Sequence, residues 1–585
     1  MKSLRYSVLI ALLVFGGSAN GKEKCPWQPS NRTTRVFLPD GVLQGHVLKS
    51  WNGNDFFAWQ EIPYAAPPVN ANRFRPPKEP LPWRGTVRNA TKNTKVCMQY
   101  KPTALTPVPD DLTMSEDCLF LNVYSPVRSD PNELMPILFF IHGGGFFYGS
   151  GAMQYYDPKY LMDYGVIVVT INYRLGPLGF LTTQNPTLPA NNGLRDQLQA
   201  LKWTIKNICA FGGDPNNITV MGESAGSTSA GFMQLSPLTK GMVQGYIMDS
   251  GSPLSPYAFQ ERAWYYAFKL ARLLNKEYKA ETDQFLTDDF SSEDVMYVLR
   301  SASAENITNT QVDNDDYKIN PIAATVIWLP VADDFGPDPF VDIPMEQALM
   351  QGSYNQVPLM TGMTSEEAMF FLKYIPPGLE MVIRQMYDAN VNLTVHPHLR
   401  IACENETRAG REYKEIYTNA SFVKDRGAFV KYLGEEVFAT PNMRHAELAS
   451  AYSSVYLYEF AHKGSMGGFP DDPDIPGANR VGHTEELHYL WGGAEGVKKD
   501  PCTYPLKDQL TMKRMLTLWT NFVKYQNPTP EADPLFDEVL WPRVKPGEMN
   551  YLMINDSLAP SKDPKNYKRV KEVFEKYKSA PYYSF

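Results

Sequence analysis

The first feature of this chain that indicates chemical activity is a serine flanked by glycines two residues away on each side, a pattern typical of a nucleophile. Residues 222–226 read Gly-Glu-Ser-Ala-Gly, with Ser224 at the centre. The apolar, β-branched run 217–221 precedes them, and the small-residue stretch 225–234, which has helical character, follows. A strand, a tight turn and a helix make a nucleophile elbow, in which glycines relieve crowding and the hydroxyl projects into a cleft. The segment therefore predicts a nucleophile at Ser224.

Backbone donors for a negative oxygen are indicated by a second glycine-rich segment. The apolar run 135–141 leads directly into a histidine and three glycines, residues 142–145. A buried strand that ends in glycines exposes backbone N–H groups, and each such donor lowers the barrier to a tetrahedral intermediate by roughly 3–4 kcal/mol. The N–H of Ala225, next to the nucleophile, is a further donor. We expect an oxyanion hole here.

A serine hydroxyl is a weak nucleophile until an imidazole accepts its proton. Among the eight histidines, His483 lies in a long loop rich in glycine, proline and aspartate that follows the aromatic strand 455–460. Loops beyond strand ends carry the base in α/β hydrolases, in the chain order Ser, acid, His. His488 is the alternative, but it falls inside the next helical segment. The pattern favours His483.

An acid is expected between the nucleophile and the base. The run 357–362 has the composition of a buried strand, and Glu366 and Glu367 follow it closely. Either glutamate can hold the imidazole in its working tautomer and stabilise the imidazolium. The residues by themselves leave the choice open, since a surface acid at a helix start is an equally good description of Glu366.

A family resemblance emerges once these segments are placed beside others. The chain resembles the type-B carboxylesterase and cholinesterase family over nearly all of its mature length. The matching stretches are 45–77, 115–122, 142–146, 172–180, 192–197, 211–215, 519–522 and 527–528. The resemblance implies an α/β-hydrolase fold, in which a large, mostly parallel central sheet is flanked by helices and interrupted by long insertions. It also implies an enzyme that hydrolyses carboxylic esters.

The resemblance assigns a role to individual residues of this chain. The nucleophile is Ser224, the acid is Glu367 rather than Glu366, and the base is His483. The residues that it implies around this triad are the oxyanion donors Gly144, Gly145 and Ala225 and the supporting residues Glu223 and Ser250. The same pattern implies structural ion pairs between Arg73 and Glu116 and between Arg174 and Asp196.

The N-terminus indicates secretion. Residues 1–19 have a positive start, an apolar centre and small residues at the end, which predict a signal peptide cleaved after Ala19 or Gly21. One domain, 22–585, is expected to remain and to be extracellular. Asn217 opens the predicted elbow strand and is expected to be too buried to carry a glycan. The other asparagines in glycosylation sequons are Asn31, Asn89, Asn306, Asn392, Asn405, Asn419 and Asn555.

Six cysteines in a secreted chain indicate disulfide bonds. By resemblance, Cys97 and Cys118 close the first disulfide loop of the family. Cys209 lies at the end of a predicted core helix, and we expect it to be a buried free thiol. Three cysteines then remain, which are Cys25, Cys403 and Cys502. We expect the last two to pair.

Composition excludes several classes of function. The net charge is −8 and no basic stripe offsets it, which disfavours nucleic acid and anionic membranes as partners. No cluster of histidine and cysteine has the spacing of metal ligands, so no metal and no cofactor are predicted. No apolar run after the leader reaches the roughly 18 residues of a membrane span. The expected partner is a small-molecule ester, and the oligomeric state is not indicated.

The type of ester can be narrowed. In the cholinesterase branch, a tryptophan inside the first disulfide loop binds the quaternary ammonium group through its ring face. Residues 98–117 contain Tyr100 but no tryptophan, which argues against choline esters although Glu223 is shared with that branch. A general carboxylesterase is therefore predicted, with aromatic residues as candidate cavity walls at Phe146, Phe147, Tyr148 and Phe370.

Two alternatives to that prediction remain. Juvenile-hormone-type esterases, which hydrolyse a specialised lipophilic ester, often carry glutamine at the position of Glu223. A non-catalytic adhesion or binding protein on the same fold is the alternative from a different class. Such proteins usually lack the serine or the histidine of the triad, and this chain has both. A lipase with interfacial activation is disfavoured because no mobile apolar lid is evident.

Overall fold

The computed structural model describes residues 34–585, apart from 101–106, 128–132, 279–290, 315–321, 323–325, 337, 468–473, 494–495 and 497–498. The predicted signal peptide, Cys25 and the sequon at Asn31 lie outside the described residues.

Sixteen strands are present in the described part of the chain. In chain order they are β1 (Arg35–Leu38), β2 (Gly41–Gln44), β3 (His46–Lys49), β4 (Asp55–Pro63), β5 (Val87–Asn89), β6 (Lys95–Cys97), β7 (Thr113–Ser115), β8 (Phe120–Pro126), β9 (Met135–Ile141), β10 (Ile167–Ile171), β11 (Gly213–Glu223), β12 (Gly245–Asp249), β13 (Leu359–Thr364), β14 (Val455–Phe460), β15 (Asn550–Ile554) and β16 (Leu558–Lys562).

The α-helices of the same ranges surround and connect these strands. In chain order they are α1 (Gly176–Phe180), α2 (Asn192–Asn207), α3 (Ala225–Leu235), α4 (Ala263–Tyr278), α5 (Ser292–Ser301), α6 (Ala304–Asn309), α7 (Met345–Gln351), α8 (Ala368–Leu372), α9 (Pro377–Ala389), α10 (Cys403–Tyr417), α11 (Arg426–Gly434), α12 (Thr440–Ala449), α13 (Leu506–Tyr525) and α14 (Tyr567–Tyr577). A π-helical segment, Glu435–Ala439, joins α11 to α12.

One large sheet organises the molecule. Its eleven strands follow the order β16-β15-β14-β13-β12-β11-β9-β10-β8-β4-β3. The seven strands from β15 to β10 are mutually parallel, whereas β16 at one edge and β8, β4 and β3 at the other pair antiparallel. The predicted α/β-hydrolase fold is confirmed, with a mixed sheet whose parallel part is its centre.

Both faces of the sheet are buried, as the near-continuous apolar composition of the central strands requires. Along β9, Ile137, Phe139 and Ile141 belong to one hydrophobic cluster, while Leu138 and Phe140 belong to another. Since successive side chains of a strand point to opposite faces, the two clusters are the two sides of the sheet. Helix α10 packs in the first cluster and α13 in the second.

The two ion pairs implied by the resemblance are present. Arg73 Nη2 lies 2.6 Å from Glu116 Oε2. Arg174 Nη2 lies 2.6 Å from Asp196 Oδ1, and both of these side chains are almost fully buried. Removing either partner of the second pair would leave a buried charge without its counterion, so these residues hold the fold rather than carry chemistry.

The cysteines correct part of the sequence prediction. The Cys97–Cys118 disulfide is confirmed. Cys209, however, is disulfide-bonded rather than a free thiol, and its partner is not among the described residues. Helix α2 ends at Asn207, and the 3₁₀ turn that follows holds Cys209 at the edge of the core, where another cysteine can reach it.

The predicted Cys403–Cys502 pair was also wrong. Both residues are exposed free thiols. Cys403 begins α10, which packs on one face of the sheet. Cys502 lies in a 3₁₀ turn, Pro501–Thr503, that leads into α13 on the other face. The sheet therefore lies between the elements that carry the two sulfurs, and a disulfide needs Cα atoms within roughly 7 Å.

The predicted glycosylation sites remain predictions, and their exposure can be stated. Three of the asparagines are exposed, at Asn89, Asn419 and Asn555, and three are half-buried, at Asn306, Asn392 and Asn405.

Among the helices of the described ranges, none combines the length and the apolar composition needed to cross a bilayer.

Removal of the Cys97–Cys118 disulfide should destabilise the protein. The bond closes a loop with a sequence separation of 21 residues. Restoring the freedom of such a loop in the unfolded chain costs about 3 kcal/mol of stability. We expect a double variant, Cys97→Ser with Cys118→Ser, to show this loss in urea unfolding. An unfolding midpoint equal to that of the unaltered protein would contradict the expectation.

Candidate active site

The segments that carry the candidate catalytic residues meet at one edge of the central sheet. Ser224 directly follows β11, and Glu367 lies three residues beyond the end of β13. His483 lies in the loop after β14, and the glycines 143–145 follow β9. Because the carboxyl ends of adjacent parallel strands share an edge, these four segments converge there. The sheet thus explains why residues far apart in the chain line one cavity.

The turn at Ser224 is strained in the way that an elbow demands. Ser224 has φ 56° and ψ −122°, a region that residues with a side chain rarely occupy. A Cβ on Gly222 would collide with the carbonyl of Gly226, and a Cβ on Gly226 would collide with the carbonyl of Ile141. The Ser224 N–H donates to Asp249 O at 2.8 Å, which ties the turn to β12. Strain of this kind persists only where the surroundings enforce it.

The imidazole of His483 is held by Glu367. Nδ1 of His483 lies 2.6 Å from Glu367 Oε2. The other oxygen, Oε1, accepts a hydrogen bond from Ser250 Oγ at 2.7 Å and from the Thr364 N–H at 2.8 Å. Each carboxylate oxygen is therefore engaged, so the ring is fixed in one orientation. The structure thus brings His483 to Glu367 and not to Glu366.

The two residues weighed as alternatives lie elsewhere. Glu366 is buried, but it is not among the residues that line the cavity. His488 lies within a 3₁₀ helix, Glu485–Tyr489, and it also does not line the cavity. Neither residue therefore faces the nucleophile.

The free nitrogen of His483 faces a second carboxylate. Nε2 lies 3.1 Å from Glu223 Oε1, and it makes no hydrogen bond in the described structure. Ser224 and His483 line the same cavity. In enzymes without substrate, the hydrogen bond between nucleophile and base is often long, and it tightens when substrate binds. The ring of His483 therefore lies between two carboxylates, that of Glu367 at Nδ1 and that of Glu223 at Nε2.

Aromatic rings enclose the imidazole. The Phe438 ring lies 4.3 Å from that of His483, measured between centroids, and Phe371 lies at 5.4 Å. Phe438 belongs to the π-helical segment Glu435–Ala439. One extra residue in a turn changes the direction of the side chains that follow, and such turns are frequent at functional sites. The rings exclude water from His483.

Two further buried acids, Asp249 and Glu486, interact electrostatically with Glu367. Burial raises the pKa of Asp249 to about 7, and nearby Glu367 adds to this rise, although hydrogen bonds from Tyr458 and Trp519 oppose it. Burial, together with Glu367 and Asp249, also raises the pKa of Glu486 well above its usual range. Both shifts favour the neutral form of these two acids, because burial penalises the charged form.

The expected oxyanion donors lie beside the nucleophile. Gly144 and Gly145 line the cavity with Ser224 and have φ values of 102° and 57°, which favour glycine. Ala225 is the first residue of α3, where a backbone N–H has no acceptor inside the helix. The positive end of the α3 dipole favours a negative oxygen at the same place.

The cavity has a volume of about 230 Å³ and a largely apolar wall. Phe147, Tyr148 and Phe370 line it. Phe146 does not, which corrects one predicted wall residue. Its ring is fully buried and packs edge-on against Phe180 at 5.0 Å. A positive φ of 66° at Phe146 turns its side chain into the core, and alternation along the sequence could not show this.

Several wall residues were missed by sequence reasoning. They are Tyr155, Tyr156, Tyr257, Phe371, Tyr374, Ile375 and Phe438. Tyr257 lines the cavity together with Ser224, and its hydroxyl lies 3.1 Å from Thr228 Oγ1. None of these residues belongs to a sequence motif, and only Phe371 is adjacent in the chain to a predicted wall residue, Phe370.

Within the described ranges, no group of three or more His, Cys, Asp and Glu side chains is placed to hold a metal ion.

Comparison with known proteins agrees with the geometry. A model of the carboxylesterase family matches residues 32–573, so this chain belongs to that family. The match covers the central sheet and every segment that reaches the cavity.

Relatives from different animals are similar over most of the chain. Venom carboxylesterase-6 of Apis mellifera is 35% identical over 552 residues, which cover 91% of this chain and 91% of the relative. Juvenile hormone esterase of Tribolium castaneum is 29% identical over 574 residues, which cover 94% of each chain. Neuroligin-2 of Mus musculus is 30% identical over 550 residues, which cover 84% of this chain and 61% of that protein.

The elbow should not tolerate a side chain at Gly222. Because a Cβ there would meet the Gly226 backbone, we expect Gly222→Ala to lose about 3 kcal/mol or more of unfolding free energy. Gly378 in α9 is the matched control, because nothing lies within 4 Å of its Cβ position. Gly378→Ala should be as stable as the unaltered protein or gain up to about 1 kcal/mol. Equal urea midpoints for both variants would contradict the expectation.

Proposed function

We propose that this protein is a secreted serine esterase that hydrolyses carboxylic esters through an acyl-enzyme intermediate. The observation that carries the proposal is the 2.6 Å contact between His483 Nδ1 and Glu367 Oε2 in a cavity that Ser224 also lines. A nucleophile, a base and an orienting acid at one site are the parts that acyl transfer requires. Membership of the carboxylesterase family supports the same reaction class.

In the first half of the reaction, Ser224 Oγ attacks the ester carbonyl carbon while His483 Nε2 accepts the hydroxyl proton. Glu367 stabilises the resulting imidazolium through Nδ1, with Ser250 holding the opposite carboxylate oxygen. The carbonyl oxygen becomes negative and accepts hydrogen bonds from backbone N–H groups. The residues proposed to donate them are Gly144, Gly145 and Ala225.

In the second half, the alcohol leaves with the proton that His483 has carried, and the acyl group stays on Ser224. A water molecule then enters, gives its proton to His483 and attacks the acyl carbon. Collapse of this second tetrahedral intermediate returns the proton to Ser224 and releases the carboxylic acid. The chain's own side chains supply every proton transfer in this cycle.

The proposed substrates are esters with lipophilic groups of modest size. The cavity of about 230 Å³ is walled by phenylalanine, tyrosine, isoleucine and valine. Glu223 places a carboxylate near the catalytic atoms, but the tryptophan platform of the choline-binding branch is absent from residues 98–117. The apolar wall and the missing tryptophan support a general carboxylesterase over a choline esterase, although Glu223 is shared with the choline esterase branch. A juvenile-hormone-type esterase is the alternative within the family.

Two disulfide-bonded positions support secretion. Cys97–Cys118 is a disulfide, and Cys209 is disulfide-bonded as well. Such bonds persist in oxidising compartments and are rare in the cytosol. With the predicted signal peptide, they favour an extracellular protein.

Labelling by an organophosphate tests the proposed nucleophile. We expect paraoxon to add one phosphoryl group per chain, on Ser224, and to abolish hydrolysis of p-nitrophenyl acetate. Ser224→Ala should take no label and should lose at least about 10⁴-fold in kcat/KM. Ser229→Ala is the matched control in the helix that follows Ser224, since the Ser229 hydroxyl donates to Ala225 O and accepts from Gln197 Nε2 and Ser229 does not line the cavity.

Intact labelling of Ser224→Ala would place the nucleophile elsewhere. Absence of both labelling and turnover in the unaltered protein would instead favour the alternative from a different class, a non-catalytic binding protein on this fold.

A panel of esters tests the substrate class. We expect p-nitrophenyl esters of short and medium acyl chains to exceed acetylthiocholine at least tenfold in kcat/KM, because a cation–π platform worth about 1–2 kcal/mol is missing. A long terpenoid methyl ester belongs in the same panel. Preference for acetylthiocholine would contradict the general carboxylesterase proposal, and preference for the terpenoid ester would favour the juvenile-hormone-type alternative.

A further inference from the structure

Helix α9 exposes apolar side chains and keeps its charged side chains out of solvent, the reverse of the usual arrangement on a surface helix. The outward apolar residues are Leu379, Met381, Val382 and Met386, which are 52%, 38%, 48% and 49% exposed. Three of them, at i, i+3 and i+7, form one stripe along the helix. The three charged residues of α9 are Glu380, Arg384 and Asp388, and none of them is exposed. The outward face therefore carries no ionised side chain.

The buried charges hold the helix in this orientation. Glu380 accepts a bidentate pair of hydrogen bonds from Arg426 at 2.9 and 2.7 Å. Arg384 Nη1 donates to Val423 O at 3.0 Å. Asp388 Oδ1 lies 2.6 Å from Lys414 Nζ. Rolling the helix to cover its apolar stripe would break all three contacts, although the pair between Arg384 Nε and Glu380 Oε1 at 3.3 Å lies within the helix.

The stripe continues the wall of the catalytic cavity. Phe370, Phe371, Tyr374 and Ile375 line that cavity, and α9 begins at Pro377, two residues after the last of them. One continuous segment, 370–386, therefore supplies first the apolar lining and then the apolar exterior. A lipophilic molecule held at α9 therefore lies next in the chain to residues that line the cavity.

The composition of the stripe distinguishes between possible occupants. Leucine, valine and methionine make it up, whereas protein interfaces depend on tryptophan, tyrosine and arginine. The stripe and the neighbouring Met381 together expose a few hundred Å², well below the roughly 800 Å² per partner of a stable protein interface. A helix with one apolar face and no outward charge suits the boundary between lipid head groups and acyl chains. The net charge of −8 disfavours an anionic surface.

We propose that α9 docks the protein on neutral lipid surfaces, so that esters dissolved in the lipid pass into the cavity without crossing water. The proposal rests on the proposed esterase function for the fate of the ester, but docking itself does not require catalysis. Helix α9 is about 20 Å long and would lie flat in the surface, with its stripe in the acyl region. No lid has to move, because the apolar face is exposed in the structure as it stands.

Flotation with phosphatidylcholine vesicles tests the docking. We expect the full chain to float with the vesicles, and a triple variant, Leu379→Gln, Val382→Gln and Met386→Gln, to partition at least tenfold less. Glutamine is a good helix former, so α9 should persist, and thermal unfolding followed by circular dichroism checks this. The matched control is Leu506→Gln with Leu510→Gln, which removes exposed leucines from α13 and should bind like the unaltered protein.

A second measurement needs no substitution in α9. Vesicles should slow hydrogen exchange of the α9 amides in the unaltered chain and leave that of α13 unchanged. Ser224→Ala should float like the unaltered protein, so a failure of the proposed catalysis is distinguishable from a failure of docking. Adding phosphatidylserine to the vesicles should not increase binding.

The proposal is overturned if the unaltered chain does not float, if the triple variant floats equally well, or if exchange in α9 does not change. Sedimentation velocity measurements test the competing possibility that a second copy of the chain covers the stripe. A dimer that the triple variant converts to monomers, without vesicle binding, would assign the stripe to contact between two copies of the chain.

Discussion

The parallel register of the central strands is the constraint on which this structure depends. Strands β9, β11, β13 and β14 all end at one edge of the sheet, and each passes directly into a segment that reaches the cavity. Between β11 and β13 lies β12, whose end residue Asp249 accepts the Ser224 N–H. Were one of these strands reversed, its segment would leave from the opposite edge. The catalytic geometry is thus a property of the sheet, not of any one loop.

The edge of the sheet where these strands end concentrates strain and buried charge. Positive φ values occur at Ser224, Ser250 and Thr484, each of them at or next to a site residue. Carboxyl groups with little exposure surround His483, including Glu223 and Glu367. Both features cost stability, and a large core on each face of the sheet offsets them. The exposed apolar stripe of α9 is a further local departure, on the helix that follows the cavity-lining residues 370–375 in the chain.

Much of the fold and the site could be predicted, because each depends on local patterns. The run 135–141 is a strand with the predicted ends, and Ser224 stands between a strand and a helix as its glycines require. The predictions that failed, and the site residues that were missed, depended on contacts between residues far apart in the sequence. Cys403 and Cys502 are separated by the sheet, and Phe438 reaches His483 only through a π-helical turn that no motif marks.

The amino-acid sequence by itself determined the family and predicted the reaction class, since a serine elbow, a glycine run and a histidine loop have local signatures that steric crowding imposes. It also determined which strands are buried, because removing apolar side chains from water is favourable. The residues alone left Glu366 and Glu367 open and only the family resemblance chose Glu367, whereas the tertiary structure alone decided which rings line the cavity and which helix exposes an apolar face to solvent. These outcomes depend on contacts between segments whose relative positions are set by strand pairing and packing, and no short stretch of sequence contains both partners of such a contact.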